Sequence, residues 1–376
     1  MAPHSLRTIW WLGIKELWSL WRDPVMLVLI AFSFTVSVYT AATAIPETLH
    51  HVPIAIVDED HSPLSQQITA AFYPPQFLSP AMIGQEQVDP GMDTGRYTFA
   101  LNIPPNFQRN VLAGRTAEIQ INVDATRMSQ AFTGNAHIQQ IIQGEIEAFM
   151  RARRPASVPP VELVLRARFN PALENAWFGS LMQIINQITM LSLILTGAAL
   201  IREREHGTIE HLLVMPVTPN QIMLSKVWSM SLVVLVAAAL SLNGIVRGLL
   251  QVPIEGSLPL FFVGTTLHLF AMTAMGIWLA TLARNMPQFG MLMILILLPL
   301  QMLSGGSTPR ESMPPFVQDL MLAAPTTHFV ELGQAILYRG AGFSVVWPAF
   351  LSLLAIGSIM FYLSLRRFRT AIGAMA

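Results

Sequence analysis

Six long segments of this chain contain no charged residue, and they restrict its fold more than any other feature. They are residues 24–46, 175–201, 227–246, 256–283, 285–309 and 340–365. Each is long enough to cross the roughly 30 Å hydrocarbon core of a bilayer as a helix. The composition agrees: 53% of the residues are hydrophobic and 12% are charged, whereas soluble proteins average about 25% charged. The segments predict an α-helical polytopic membrane protein with six transmembrane helices.

Residues 47–174, between the first two apolar segments, have the polarity of a soluble domain. The sequence predicts four strands in this region: Val52–Val57, Tyr97–Ile103, Ala117–Val123 and Val161–Phe169. Helical patterns lie between them, and the longest covers residues 129–150. Strands that alternate with helices favour a compact α/β domain with a mixed sheet.

The distribution of Lys and Arg predicts the orientation. With the N-terminus inside, ten of these residues lie on the cytoplasmic side and three lie in the short external loops. The ten are Arg7, Lys15, Arg22, Arg202, Arg204, Lys226, Arg284, Arg366, Arg367 and Arg369, and the three are Arg247, Arg310 and Arg339. The positive-inside rule then places both termini, including the tail 370–376, in the cytoplasm and domain 47–174 outside. The segment 304–339, rich in Gly and Pro, is predicted to form short re-entrant or interfacial helices on the external side.

Residues 1–23 are predicted to form an amphipathic helix in the cytoplasmic membrane interface. Its apolar stripe consists of Leu6, Trp10, Ile14, Leu17 and Trp21. Arg7, Lys15 and Glu16 lie off that stripe, and an ordinary soluble amphipathic helix is the alternative. Asp23 and Pro24 then cap and start the first span.

A densely charged connector, residues 202–226, joins the second and third apolar segments. Gly207 is placed to end one helix, and Thr208 to cap the next with Glu210 in its first turn. Ile209, Leu212 and Leu213 give that short helix an apolar face, and Pro216 ends it. Thr218, Pro219 and Gln221 form a second helix start of the capping-box type.

The connector sequence Arg-Glu-Arg-Glu-His-Gly-Thr-Ile-Glu-His-Leu-Leu-Val-Met-Pro resembles the signature of the ABC-2 type permeases. Residues 300–311 and 325–329, and the order of one span, a large external domain and five spans, strengthen the likeness. In that family this segment is the coupling helix that docks on the ATPase subunit. The resemblance assigns ATPase coupling to Glu203, Glu205, Gly207, Thr208, Glu210, Leu212, Leu213 and Pro216.

The resemblance also implies partners and a compartment. The chain is expected in the bacterial inner membrane as half of an exporter, while a separate ATP-binding-cassette ATPase holds ATP and Mg²⁺. The other half is either a second copy or a homologous permease, and a periplasmic adaptor of the membrane-fusion type is a further expected partner. Neither a cofactor nor a catalytic residue is expected in this chain itself.

Other chemistries are not supported by the sequence. Ile54–Glu59 imitates a Walker B strand, but a phosphate-binding loop needs a lysine, and Lys15 and Lys226 both lie outside such a loop. His206, Glu210 and His211 do not have the spacing of zinc-protease ligands, and Gly207 interrupts their helix. The chain has no cysteine and a formal net charge of zero, so neither a thiolate metal site nor nucleic-acid binding is indicated.

Polar residues within the apolar segments are candidates for a substrate path, because polar groups in lipid are costly and usually face a cavity or the bundle interior. The candidates are Gln183, Asn186, Gln187, Asn243, Arg247, His268 and Gln301. Hydrogen bonds that hold the helices together are an equally good interpretation.

Two other classes of protein share some of these features. A membrane-anchored sensor with an external ligand-binding domain normally has fewer spans and a cytoplasmic output domain. An ion-coupled secondary transporter is expected to have carboxylates inside its spans, and the six segments contain neither Asp nor Glu. The sequence therefore favours the permease.

Overall fold

The computed structural model describes residues 2–43, 52–74, 76–115, 117–124, 128–153, 175–207, 217–306, 308 and 310–373. The chain divides into two compact units. One combines Met1–Ile45 with Ala167–Ala376, and the other is Pro46–Arg166. The first is a helical bundle and the second has an α/β fold.

In chain order, the helices and strands fall into two halves of the chain. The first half contains α1 (Ala2–Trp21), α2 (Pro24–Phe34), α3 (Val36–Thr43), β1 (Ile54–Asp58), α4 (Pro63–Ala70), β2 (Ala81–Met82), α5 (Val88–Asp93), β3 (Phe99–Ile103), α6 (Phe107–Leu112), β4 (Gln120–Val123) and α7 (Met128–Arg153). The second half contains α8 (Asn175–Glu205), α9 (Pro219–Ser241) with a π-helical continuation (Leu242–Leu249), α10 (Leu258–Leu282), α11 (Met286–Met302), α12 (Pro315–Met321), α13 (Pro325–Gly333) with a π-turn (Gln334–Tyr338), and α14 (Phe343–Gly373).

Five helices among the described residues are long and apolar enough to cross a membrane. They are Pro24–Thr43, Ala176–Glu205, Pro219–Leu249, Leu258–Leu282 and Phe343–Ala371. The first comprises α2 and α3, which are separated at Thr35. Helix α11 has 17 residues and is shorter than the predicted segment 285–309, because it ends before the turn at Gly305 and Gly306. The structure thus gives five candidate spans and a shorter apolar helix, and the six-span topology stays a prediction.

Helices α8 and α10 form the centre of the bundle. The apolar window of α8 is 83% buried and that of α10 is 67% buried, compared with 22% for the first span and 28% for the last. Gly276 of α10 allows the close contact, since a Cβ atom there would lie 2.8 Å from the carbonyl oxygen of Leu193 in α8. Small residues at such crossings let two backbones approach. The first and last spans, by contrast, leave much of their apolar surface unburied.

The α/β unit confirms the predicted mixed sheet. Its strand order is β2-β1-β3-β4, with β1 parallel to β2 and β3, and with β4 antiparallel to β3. Helix α7 confirms the long helix predicted at 129–150, whereas the short strand β2 was not predicted. The strand predicted at Val161–Phe169 lies outside the described residues, and the external position of the domain 47–174 stays a prediction.

The strand that imitates a Walker B motif ends in an ordinary turn. Asp58, at the end of β1, accepts hydrogen bonds from the backbone N–H groups of Asp60 and His61, both at 3.0 Å. Its other carboxylate oxygen accepts a hydrogen bond of 2.7 Å from Ser65. The carboxylate therefore stabilises the start of α4.

Helix α1 corrects one part of the amphipathic prediction. Leu6, Trp10 and Trp21 of the predicted stripe are exposed, as expected for a membrane-facing side. Glu16, expected on the polar side towards water, is instead buried at 5% exposure. The reason is that this side of α1 packs against the bundle.

Candidate functional site

The central part of the connector, residues 208–216, lies outside the described residues. Five predicted coupling residues, Thr208, Glu210, Leu212, Leu213 and Pro216, fall in or at the end of that part. The flanks of the connector are described. Helix α8 ends at Glu205, and Gly207 has a φ of +67°, a left-handed conformation suited to a helix end. Helix α9 begins with the predicted capping box, in which Thr218 and Gln221 exchange hydrogen bonds.

A group of four charged residues, of which Glu16, Glu203 and Lys226 are buried and Lys15 is partly exposed, lies between these flanks and α1; we call it the charge cluster. It consists of Lys15 and Glu16 of α1, Glu203 of α8 and Lys226 of α9. The Lys226 ammonium is 2.7 Å from Glu203 Oε2 and 3.0 Å from Glu16 Oε1. The Lys15 ammonium is 2.6 Å from Glu203 Oε1 and 3.4 Å from Glu16 Oε1. Three helices that are distant in sequence are thereby joined by ion pairs.

The electrostatics of the charge cluster depend on its balance of two cations and two anions. The Lys226 side chain is 1% exposed, and a charge so deeply buried is tolerated only with close partners. Burial raises the pKa of the Glu16 carboxyl; the Lys226 ammonium opposes this shift and Glu203 adds to it. Burial alone would lower the pKa of Lys15, but Glu203 and Glu16 more than offset that effect and raise it. A cavity of about 210 Å³, lined in part by Lys15, Ser19 and His206, adjoins the cluster.

The end of α8 has further attachments to the bundle. Arg202 forms an ion pair with Asp23, the residue whose side chain caps α2. Arg204 donates a hydrogen bond to the carbonyl oxygen of Ala283. Glu205 accepts a hydrogen bond of 2.9 Å from the backbone N–H of Met286 at the start of α11. The first flank of the connector is therefore held by α1, α2, α9, α11 and the end of α10.

The start of α9 is attached to α1 by aromatic and polar contacts. Trp228 stacks on Trp10, with ring centroids 4.9 Å apart and planes within 1°. The Trp228 indole N–H also donates to the carbonyl oxygen of Ile9 at 3.2 Å, and the Gln221 amide donates to the Ser5 hydroxyl at 3.1 Å. Both flanks of the connector are thus bound to the same N-terminal helix.

Two predicted coupling residues have internal partners. Glu203 is 8% exposed and its carboxylate binds both lysines of the charge cluster, so the structure places it inside the protein and not on an outer docking surface. Glu205 is exposed, with one oxygen bonded to Met286. The sequence analysis missed the cluster as a unit. The sequence signal that could have indicated the cluster is that its two lysines, Lys15 and Lys226, are the only lysines of the sequence.

Most of the candidate substrate-path residues form contacts between helices. The side-chain amides of Gln183 and Gln187 both donate to the Ser37 hydroxyl, each at 2.8 Å, which joins α8 to α3. Gln301 donates to the backbone carbonyl oxygen of Asn186 at 3.3 Å. These contacts correspond to the alternative of hydrogen bonds that hold the bundle together.

The remaining candidates lie in two different settings. His268 is fully buried, with Nε2 2.9 Å from the Thr189 hydroxyl and its ring stacked on Phe329 at 4.0 Å. Asn243 and Arg247 are exposed on the π-helical continuation of α9. Arg247 Nη1 donates a hydrogen bond of 3.4 Å to Asn243 Oδ1. The structure does not bring the candidates together at one site, and a role in a substrate path stays a prediction for each.

The comparisons with known proteins cover nearly the whole chain. Residues 24–366 match a family described as ABC-2 family transporter protein. The inner membrane transport permease YhhJ of Escherichia coli (strain K12) is 64% identical over 373 residues, which are 99% of this chain and 100% of that protein. The probable multidrug ABC transporter permeases YbhR and YbhS of the same organism are 28% and 26% identical, over 93% and 89% of this chain and 94% and 90% of theirs.

Proposed function

Because the chain belongs to the ABC-2 family of transporter proteins and is a multi-pass permease of the bacterial inner membrane, we propose that it is the membrane-spanning half of an ATP-driven exporter. A separate ATP-binding-cassette ATPase binds ATP and Mg²⁺. Its movements reach the permease through the connector, and the permease carries no catalytic residue of its own.

The observation that carries this proposal is the attachment of both connector flanks to α1. A partner that pushes on residues 208–216 acts on the end of α8 and the start of α9 together. The charge cluster and the contacts of Trp228 join both flanks to α1, so a displacement of the connector moves three helices as one body. Such rigidity suits a segment that transmits force into a bundle.

The direction of transport follows from the proposed topology. The bias of Lys and Arg favours six spans with both termini and the connector in the cytoplasm. The α/β domain is then external, and substrate that enters from the side of the ATPase leaves on the side of this domain. The relatives described as probable multidrug permeases support small organic compounds as substrates.

The proposed exporter contains two permease halves. The first and last spans expose most of their apolar windows, which leaves surface for lipid and for a second half. That half is a second copy or a homologous permease, and a periplasmic adaptor of the membrane-fusion type receives the substrate.

The test changes the connector without changing the bundle. Glu210→Lys places a cation in the first turn of the predicted coupling helix, at a cost of about 1 kcal/mol from the helix dipole. Loss of a charge pair at a partly desolvated interface costs about 2–5 kcal/mol of binding. Leu212→Asp buries an unpaired charge in the docking groove. We expect both variants to reach the membrane at the wild-type level and to lose the ATPase that copurifies with the wild-type chain, together with transport.

The matched control is Glu118→Lys, the same charge reversal at an exposed position of the α/β unit. It should retain the ATPase. If Glu210→Lys and Leu212→Asp both retain normal ATPase binding and substrate-stimulated ATP hydrolysis, the connector is not the docking element and the proposal loses its main support.

A further inference from the structure

A second cavity, of about 440 Å³, lies within the helical bundle and is unrelated to the charge cluster. We call it the arginine cavity. The polar and aromatic residues of its lining are Phe178, Ser304, Arg310, Thr327, Glu331, Gln334 and Arg339. Its size is in the range of pockets that bind small molecules. The residues come from α8, from the chain after α11, and from α13 and its π-turn.

The arginine cavity lies at the opposite end of the bundle from the connector. Phe178 is at the beginning of α8 and Glu203 at its end, about 38 Å apart at 1.5 Å per residue. Helix α11 begins beside Glu205, and the chain that follows it lines the cavity. The cavity and the connector are therefore separated by about the thickness of a membrane.

Some donors of the cavity lack good partners, although Arg310 Nη2 donates to the carbonyl oxygen of Gln318 at 3.3 Å and the Ser304 hydroxyl to that of Gln301 at 2.9 Å. The Thr327 hydroxyl and the Arg310 Nε atom are buried without a hydrogen-bond partner among the described residues, and Thr327 is 3% exposed. The Gln334 amide donates to the sulfur of Met182 at 3.8 Å, a weak contact. Buried donors without partners cost free energy, and an anionic ligand would satisfy them. Two guanidinium groups, of Arg310 and Arg339, supply the charge that attracts it.

Among the described residues that line the cavity, the one carboxylate, that of Glu331, does not neutralise these arginines by direct contact. Glu331 is exposed, and among the described residues no ion pair within 4.0 Å joins it to Arg310 or Arg339. The described lining residues, two arginines and one glutamate, carry one excess positive charge. Glu331 should weaken the binding of an anion by repulsion. Neutralisation of Glu331 should therefore strengthen anion binding, whereas neutralisation of either arginine should weaken it.

Apolar surface adjoins the polar part of the cavity. Phe178 is exposed and stacks on Tyr338 at 5.6 Å. Val330 of α13 also lines the cavity. A ligand with an anionic group and an apolar tail would place the group between the arginines and the tail along these side chains.

We propose that the arginine cavity binds the anionic headgroup, a phosphate or a carboxylate, of a membrane amphiphile. This proposal rests on the proposed function in one respect only, the side of the membrane, which is the external leaflet. The binding assay uses the permease without an ATPase, so a failure of this proposal leaves the proposed function untouched.

The test measures binding to the full-length chain, purified in detergent, by titration calorimetry. The probe is dihexanoyl phosphatidylglycerol, and the comparison ligands are dihexanoyl phosphatidylcholine and inorganic phosphate. We expect phosphatidylglycerol to bind more tightly than either. Arg310→Gln and Arg339→Gln should each weaken its binding about tenfold, since a charged hydrogen bond is lost. Glu331→Gln should strengthen it, a gain that a folding defect would not produce.

The control is Arg96→Gln, which removes an exposed arginine of the α/β unit and should leave the affinity unchanged. Equal affinity for the two phospholipids would overturn the proposal, as would wild-type affinity in both arginine variants. If inorganic phosphate binds as tightly as phosphatidylglycerol, the occupant is a free anion and the amphiphile is refuted.

Discussion

At the scale of single residues, the charge cluster depends on Lys226. Its ammonium lies within 3.0 Å of both Glu16 and Glu203, while Lys15 on the partly exposed side reaches the same two carboxylates. Removal of one partner from a buried ion pair leaves an uncompensated charge, which is the largest energetic effect of such a change.

Lys226→Met keeps a similar volume but leaves two buried carboxylates facing Lys15 alone. We expect a loss of about 3–5 kcal/mol of stability, measured by thermal unfolding of the purified protein. A second change, Glu16→Gln in the Lys226→Met background, restores the charge balance and should recover part of the loss. Equal melting temperatures for the wild type and Lys226→Met would show that the ion pairs contribute nothing to stability.

The pH dependence of stability provides a test of Glu16. Because the pKa of Glu16 in the folded protein is raised above its ordinary value of 4.5, the folded state holds this proton more tightly than the unfolded state. Its contribution to stability is present in full below that value and is lost as the pH rises through the folded-state pKa. Glutamine does not titrate, so the melting temperature of the wild type minus that of Glu16→Gln should fall as the pH increases. A difference that increases with pH would contradict the assignment.

At the scale of elements, α1 has two faces that contact different surroundings. Gly13, Glu16 and Leu20 are buried against the bundle. Outside that face, Trp11, Trp18 and Trp21 are each more than half exposed, as is Trp10, one side of which stacks on Trp228. Indole rings favour the membrane–water interface. Helix α1 therefore joins the connector flanks to the bundle, and its position in the membrane interface stays a prediction.

The contact of α1 with α9 requires a residue without a side chain at position 13. A Cβ atom on Gly13 would lie 2.1 Å from the Trp228 ring, so Gly13→Ala should force the helices apart. Overpacking costs about 1–3 kcal/mol, which exceeds the gain of about 1 kcal/mol from replacing a helical glycine. We expect a lower melting temperature and faster tryptic cleavage after Lys15.

The matched control is Gly290→Ala in α11, where a Cβ atom would meet nothing within 4 Å. That variant should be as stable as the wild type or more so. If the two alanine variants behave alike, close packing of α1 on α9 is not needed for its attachment.

At the scale of the whole molecule, the long helices separate two chemically different ends. The connector and the charge cluster lie at one end of α8, and the arginine cavity lies at the other. The proposed topology assigns the first end to the cytoplasm, where an ATPase can bind, and the second to the external side.

The topology can be tested directly because the chain contains no cysteine. Single cysteines at Glu118 and Thr370, both exposed, should react differently with a membrane-impermeant maleimide. In right-side-out spheroplasts we expect labelling of Glu118→Cys and protection of Thr370→Cys until the membrane is permeabilised. External labelling of Thr370→Cys in intact membranes would overturn the six-span arrangement.

Much of the architecture could be predicted because its causes are local. Five of the six uncharged segments correspond to helices long enough to cross a bilayer, while segment 285–309 gives the shorter helix α11. Asp23, Gly207 and Thr218 occupy helix ends because capping depends on neighbouring residues in the chain. The mixed sheet of the α/β unit follows equally from the order of strands and helices. The ends of the connector at Gly207 and Thr218 were predicted in the same way, while its role in coupling stays a prediction.

The tertiary structure alone decided which polar groups meet. Glu16 had the spacing of a water-facing residue, and Lys226 lies on the helix that the capping residue Thr218 starts. The two nevertheless form a buried ion pair across 210 positions of the sequence. The pattern of Gln183 and Gln187 fitted path-lining and helix-joining residues equally, and the structure bonds both to Ser37. The sequence reveals that a group is polar and lies in an apolar segment. Its partner depends on which helices pack together and on how those helices are aligned along their axes. That arrangement is set by the free energy of the whole bundle, and no local pattern encodes it.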